Sequence, residues 1–145
     1  QQEKRELEWM NRHALRTLIK QGHPQSLRFL GYRTDPAITV DDFELETQRV
    51  RPGEAILFSF SISAIREEPL MVDYVIDFVK ANGSLAPRVH KLKQLTVAKG
   101  ETASLKKRHL LRASATTYTL YPGTHKVTLQ INGKPFATRE FQLVD

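Results

Sequence analysis

Two hydrophobic periods divide this chain of 145 residues. Between Glu3 and Lys20 apolar residues recur at Leu7, Met10, Ala14, Leu15, Leu18 and Ile19, the spacing of one helix face. No Pro or Gly interrupts the segment, and Glu, Lys, Arg, Leu and Ala fill it, all good helix formers. Glu3, Glu6 and Glu8 lie early and Arg16 and Lys20 late, which complements the helix dipole. Gly22 and Pro24 stop this helix. A short second helix is expected from Pro24 to Leu30, closed by Gly31. Two helices of this size cannot bury their apolar faces alone, so they read as the closing pair of a helical-repeat array. The chain opens on Gln1 inside this charged helical pattern, and it is expected to be a piece of something longer.

After Thr34-Asp35-Pro36 the period changes to two. Ile38 and Val40 share one phase and Phe43 and Leu45 the other, so a bulge or a switch between sheets is expected at Asp41-Asp42. Ile56, Phe58, Phe60, Ile62 and Ala64 alternate with Ser59, Ser61 and Ser63. Val72, Tyr74, Ile76 and Phe78 are expected to face inward, and Asp73, Val75, Asp77 and Val79 outward. A strand over about Arg88–Val97 puts His90 and Leu92 on one face, Lys91 and Lys93 on the other. Another runs over about Ala103–Leu111. His125, Val127, Leu129 and Ile131 face the core, and Asn132-Gly133 predicts a tight type I′ hairpin. In the last strand, Pro135 to about Val144, Phe136 is out of phase with Phe141 and Leu143, which predicts a bulge near Arg139.

The fold class that follows is mainly β. A seven-stranded immunoglobulin-like or fibronectin-III-like sandwich over 38–145 follows a helical pair over 1–33 and a linker over 34–37. The cysteine and tryptophan of antibody domains are missing; Phe60, Tyr74 and Val127 are expected in their core places, and His125 where a tyrosine corner would stand.

Composition sharpens this picture in three ways. A chain of this length buries a core without covalent staples. The absence of Cys excludes disulfides, thiolate metal sites and cysteine nucleophiles, and fits a reducing, cytoplasmic setting. No apolar run approaches the roughly 20 residues of a membrane span, so no membrane partner is expected. The net charge of +6 is unevenly spread. Residues 36–79 carry 3 basic and 9 acidic side chains, whereas residues 80–112 carry 9 basic and 1 acidic. A concentration of positive charge on one short stretch points toward a polyanion.

Chemistry is otherwise sparse. There is no nucleophile elbow, phosphate-binding loop, dinucleotide fingerprint or zinc-ligand spacing. His90, His109 and His125 read as core or rim residues with satisfied hydrogen bonds, not as metal ligands. Asp73 and Asp77, four strand residues apart, are separated by roughly 13 Å and do not form a catalytic pair; they are expected to pair with basic residues on a neighbouring strand. No catalytic residue, metal or cofactor is assigned. The candidate site is basic: Arg16 and Lys20 on the first helix, then Lys80, Arg88, Lys91, Lys93, Lys106, Lys107 and Arg108. Without exposed aromatics among them, these suit backbone phosphates of double-stranded DNA better than stacked bases.

A resemblance falls on the same residues. Arg12–Pro24, followed by Leu30-Gly31, resembles the closing helical repeat of the HEAT-like-repeat DNA alkylation-repair glycosylases of the AlkC/AlkD type. Leu70–Gly83, Arg88–Lys93 and Tyr121–His125 resemble the C-terminal extension of the AlkC branch. The resemblance implies a bacterial base-excision-repair enzyme that hydrolyses the N-glycosidic bond of alkylated purines without flipping the base into a pocket. It implies upstream helical repeats that carry the catalytic residues, and an immunoglobulin-like domain that grips the DNA backbone. No position here matches the catalytic residues. Arg16 and Lys20 match the kind of basic position that repeats place on phosphates.

Two other functions stay open on the residues alone. One is a protein-interaction or scaffolding sandwich that docks on its own helical domain, to which outward Val75 and Val79 are suited. The other is a carbohydrate-binding sandwich, which lacks the exposed aromatic platform such a site needs; Trp9 lies on the helix.

Overall fold

Alternation of apolar and polar residues builds two sheets from eight strands, β1 (Ile38–Leu45), β2 (Arg49–Val50), β3 (Ala55–Ala64), β4 (Glu68–Val79), β5 (Leu85–Val97), β6 (Thr102–Leu110), β7 (Gly123–Ile131) and β8 (Lys134–Leu143). The computed structural model describes residues 30–112 and 119–144. The expected helical pair, with Arg16, Lys20 and its apolar stripe, lies outside the described residues. One sheet has the order β1-β3-β6 and the other β2-β8-β7-β4-β5. The described part of the chain is thus mainly β, as expected, and the seven expected strands are joined by the two-residue β2.

The core lies between the sheets. Ile56, Phe58, Phe60, Ile62 and Ala64 of β3 face Leu70, Val72, Tyr74, Ile76 and Phe78 of β4, all buried. Phe43, Phe58, Phe60 and Tyr74 form an aromatic group with edge-on contacts of 5.9 Å for Phe43–Phe58 and 5.2 Å for Phe58–Tyr74. Each such side chain contributes about 1.5–3 kcal/mol on burial. Phe60, Tyr74 and Val127 are buried in the core. His125 is fully buried. Its Nδ1–H donates to the Gly123 carbonyl at 3.2 Å, and its Nε2 accepts from the Val79 amide at 3.5 Å. Burial lowers its pKa, and the Gly123 bond opposes that shift.

Local irregularities set the register. Asp42 adopts φ 57° and the β1–β3 register shifts between Asp41 and Glu44, the bulge the phase change predicts. Asn132 (φ 51°) and Gly133 (φ 80°) make the tight β7–β8 turn. The bulge in β8 falls at Phe136, not near Arg139: consecutive Leu129 and Gln130 oppose Ala137 and Pro135. Pro135 has no N–H to give the ladder, so pairing breaks beside it. A bulge the sequence does not reveal lies in β5, where consecutive Val72 and Asp73 oppose Lys93 and Lys91 and leave Leu92 extra.

Residues 30–37 are tied to the larger sheet. Leu30 and Tyr32 pack on Met71, on the outer face of β4. The Asn132 side chain donates to the carbonyls of Arg33 (2.8 Å) and Pro69 (3.2 Å) and accepts from the Met71 amide (2.8 Å). The carboxylate of Glu68, fully buried, accepts from the Ala37 amide at 2.8 Å and from Arg66 Nε at 3.1 Å, with Arg33 Nε at 3.9 Å. Lys134 Nζ lies 2.6 Å from Asp35 Oδ1 and holds that carboxyl below its ordinary pKa.

Candidate nucleic-acid interface

The basic residues gather where the two sheets share an open side. β5 ends one sheet and β6 ends the other, and these edge strands touch. β5 carries Arg88, Lys91 and Lys93, and β6 carries Lys106, Lys107 and Arg108, all exposed except the half-buried Lys107. Lys80 sits at the start of the β4–β5 turn, where its amide donates to the Ser84 carbonyl at 2.8 Å and its carbonyl accepts from the Gly83 amide at 2.9 Å. Seven of the nine expected phosphate-binding residues therefore lie on or beside two adjacent edges. Arg16 and Lys20 lie outside the described residues. Among the described residues, Lys91, Lys93, Lys106, Lys107 and Arg108 make no ion pair.

The bulge at Leu92 corrects one expectation. Lys91 stands opposite Asp73 on the outer face, whereas Lys93 stands opposite core-facing Val72. Directly opposed residues of an antiparallel pair share a face, so Lys91 and Lys93 do not. The inserted residue reverses the alternation between them. On β6 the alternation is regular, with Lys106 and Arg108 opposite Ser59 and Leu57, and Lys107 opposite core-facing Phe58.

Asp73 is also placed differently. It lies on the outer face as expected, but it is fully buried, beside Lys91 on one strand and Gln130 on the other. Asp77 is half-buried opposite Lys126 and Pro87.

Beneath the open side lies a cluster that sequence reasoning did not assemble. Tyr74 O–H and His109 Nδ1 are 2.7 Å apart. The His90 ring stacks on Tyr74 at 5.1 Å and meets His109 at 4.6 Å. Burial pushes the Tyr74 phenol up to about 12. Burial, aided by the charge of Lys107, pushes His109 down to about 4. With His109 neutral and the phenol protonated, Tyr74 donates to Nδ1 and the imidazole carries its proton on Nε2, the assignment that leaves no buried phenol proton without an acceptor. The only sequence signal was phase: His109 alternates with Leu105, and His90 is an inward position on its strand. Nothing in the spacing of the three residues announced that two sheets would bring them together.

These surroundings offer cations and neutral donors, not an acid–base pair. No group of three His, Asp or Glu positioned to hold a metal occurs among the described residues. Acidic Asp41, Asp42 and Glu44 lie on β1, at the opposite edge of the smaller sheet. The molecule is therefore polarised across that sheet, from acid on β1 through the serines of β3 to base on β6. No helix among the described residues is long and apolar enough to cross a membrane.

Comparison with known proteins agrees with the immunoglobulin-like fold. A family model described as "Uncharacterised protein YhaZ, C-terminal Ig-like domain" matches residues 39–145. The uncharacterized protein YhaZ of Bacillus subtilis (strain 168) is 34% identical over 136 residues, 94% of this chain and 38% of that protein. The structure of Pseudomonas fluorescens alkylpurine DNA glycosylase AlkC, bound to DNA containing an abasic site analog, matches with a TM-score of 0.92 and 32% identity. That match covers 100% of this chain and 41% of AlkC. The chain thus spans about two fifths of the length of these relatives. A β-glucosidase from Listeria innocua in complex with glucose matches with a TM-score of 0.61 over 76% of this chain and 16% of that one, at 13% identity, a likeness of fold alone.

Proposed function

The chain belongs to the family of C-terminal Ig-like domains of YhaZ, and on that premise we propose that it is the non-catalytic C-terminal portion of a bacterial alkylpurine DNA glycosylase. In this reading the sandwich of residues 38–145 contacts the backbone of double-stranded DNA, residues 1–33 are the last helical pair of an upstream array, and residues 34–37 join them. Hydrolysis of the N-glycosidic bond belongs to the repeats upstream, and the whole protein works in the cytoplasm on alkylated DNA. Two observations support the reading: the basic residues gathered on β5 and β6, and a match at 32% identity to a DNA-bound glycosylase.

The physical case is electrostatic. Lysines and arginines on two adjacent edges, without exposed aromatic platforms beside them, neutralise phosphates and read no bases. Each phosphate engaged contributes about −0.9 to the slope of log K against log salt. The protein is expected to shift an undamaged duplex in a mobility assay at about 50 mM salt, with little sequence preference and a slope steeper than about −2. Absence of a shift, or a flat salt dependence, overturns the reading. The intact protein is expected to release alkylated purines, and residues 1–145 alone to release none.

A second reading has its own observation. Leu30 and Tyr32 already pack on Met71, so the outer face of the larger sheet suits an interaction sandwich that docks on its own upstream domain. That function alone predicts no duplex binding, so the same mobility assay separates the two.

A further inference from the structure

The register divides the basic residues into groups that alternation in the sequence does not reveal. We propose that one phosphodiester of the duplex docks in the seam between β5 and β6, floored by Tyr74, His90 and His109 and rimmed by Arg88, Lys93 and Lys107. The proposal rests on the DNA reading above and says which cations carry it.

Arg88 stands opposite Ile76, His90 opposite Tyr74, and Lys93 opposite Val72. Those three β4 residues face the core, so their β5 partners lie on the inner side of an edge strand, at the border between the sheets. From the other sheet, Lys107 stands opposite Phe58 and His109 opposite Ile56, both core-facing. Three cations and two imidazoles thus approach one seam from two sheets. The contacts of 4.6 Å between His90 and His109, and 2.7 Å between Tyr74 and His109, fix its floor. Lys107 precedes His109 by two residues on β6 and shares its face.

The chemistry suits a single phosphate. Half-buried Lys107 is less screened than a fully solvated lysine, so its attraction for an anion is stronger. Arg88 offers a planar fork of donors that matches phosphate oxygens. Tyr74 and His109, held protonated and neutral respectively by burial, add no charge that would attract a competing carboxylate.

Lys91 and Lys106 face elsewhere, each in register with an acidic residue. Lys91 shares the outer face of the larger sheet with Asp73. On the outer face of the smaller sheet, Lys106 lies in a row with Ser59 and Glu44.

The test compares equal charge changes in the two groups. The intact protein carries Lys93→Glu, Lys107→Glu, Lys91→Glu or Lys106→Glu, and each variant is titrated with a labelled undamaged duplex at low and rising salt. Reversal at Lys93 or Lys107 is expected to weaken binding at least about tenfold and to lower the magnitude of the salt slope by about one. Reversal at Lys91 or Lys106 is expected to cost less than about threefold. Losses as large at Lys91 and Lys106 overturn the seam and leave the DNA reading standing. No loss in any variant overturns both. Should Lys107→Glu fail to fold, Lys107→Gln removes the charge without placing a carboxylate beside His109. It must still bind less tightly than Lys106→Gln, and equal binding overturns the seam.

Discussion

A buried phenol without an acceptor costs about 1–3 kcal/mol, and for Tyr74 the acceptor is His109 Nδ1 at 2.7 Å. The partnership makes stability depend on pH in a defined direction. Folded His109 protonates near pH 4, against 6.5 for a free imidazole. Between these values the unfolded chain binds the extra proton, so unfolding becomes easier as pH falls through that window. The contribution is complete above pH 6.5 and lost at about pH 4. At the alkaline end the unfolded chain loses the tyrosine proton first, because folded Tyr74 titrates near 12 and a free phenol near 10.0. Urea midpoints measured across pH are expected to fall less steeply between pH 6.5 and 4 in Tyr74→Phe/His109→Phe than in the parent. Parallel acid limbs would show that His109 protonates freely in the folded state. Tyr74 was legible as a core residue from alternation alone. Its partner was not, because a cross-sheet hydrogen bond leaves no mark in the spacing of either strand.

At the scale of the element, Asn132 combines two roles that sequence reading separates. Asn-Gly announces a type I′ turn, and by that rule Asn132→Gly should be close to neutral, since glycine adopts positive φ freely. The structure adds three hydrogen bonds from the Asn132 side chain, to Met71, Arg33 and Pro69. Asn132→Gly is therefore expected to lose about 1–3 kcal/mol, because the buried Met71 amide and the Arg33 and Pro69 carbonyls lose these bonds. A loss under about 0.5 kcal/mol in urea denaturation would reduce the residue to its turn chemistry. The strands themselves were largely readable, since Ile56 through Ala64 and Val72 through Phe78 alternate with few errors. The departures were readable only where the phase visibly changed. Asp41-Asp42 marks its bulge, but Leu92 hides one, because Leu92 packs at the edge of the core and its neighbours are all long polar side chains. At Phe136 the phase change was visible and its position was not. Arg49-Val50 is too short to carry any period, and its parallel pairing with β8 is fixed by the sandwich around it.

For the whole molecule, residues 30–37 determine how the sandwich is carried. Held by Glu68, Asn132 and Lys134, they do not behave as a free tether. Trypsin is expected to cut slowly after Arg33 in the parent and quickly in Glu68→Ala, which releases the Ala37 amide and both arginines. Equal rates, read by mass spectrometry of early fragments, would show that Glu68 does not hold the segment. In the proposed function this matters through effective concentration: a fixed attachment keeps the basic side near DNA already gripped upstream, so weak phosphate contacts suffice. The same basic side has a consequence for solubility. β5 is 13 residues long and ends its sheet, and β6 ends the other. Among the described residues no strand pairs with their outer edges, whose backbone groups are a template for another chain. The lysines, together with the bulge at Leu92, guard those edges against strand addition. Neutralising them would weaken any grip on DNA and also invite self-association, whereas reversal to glutamate keeps each edge charged.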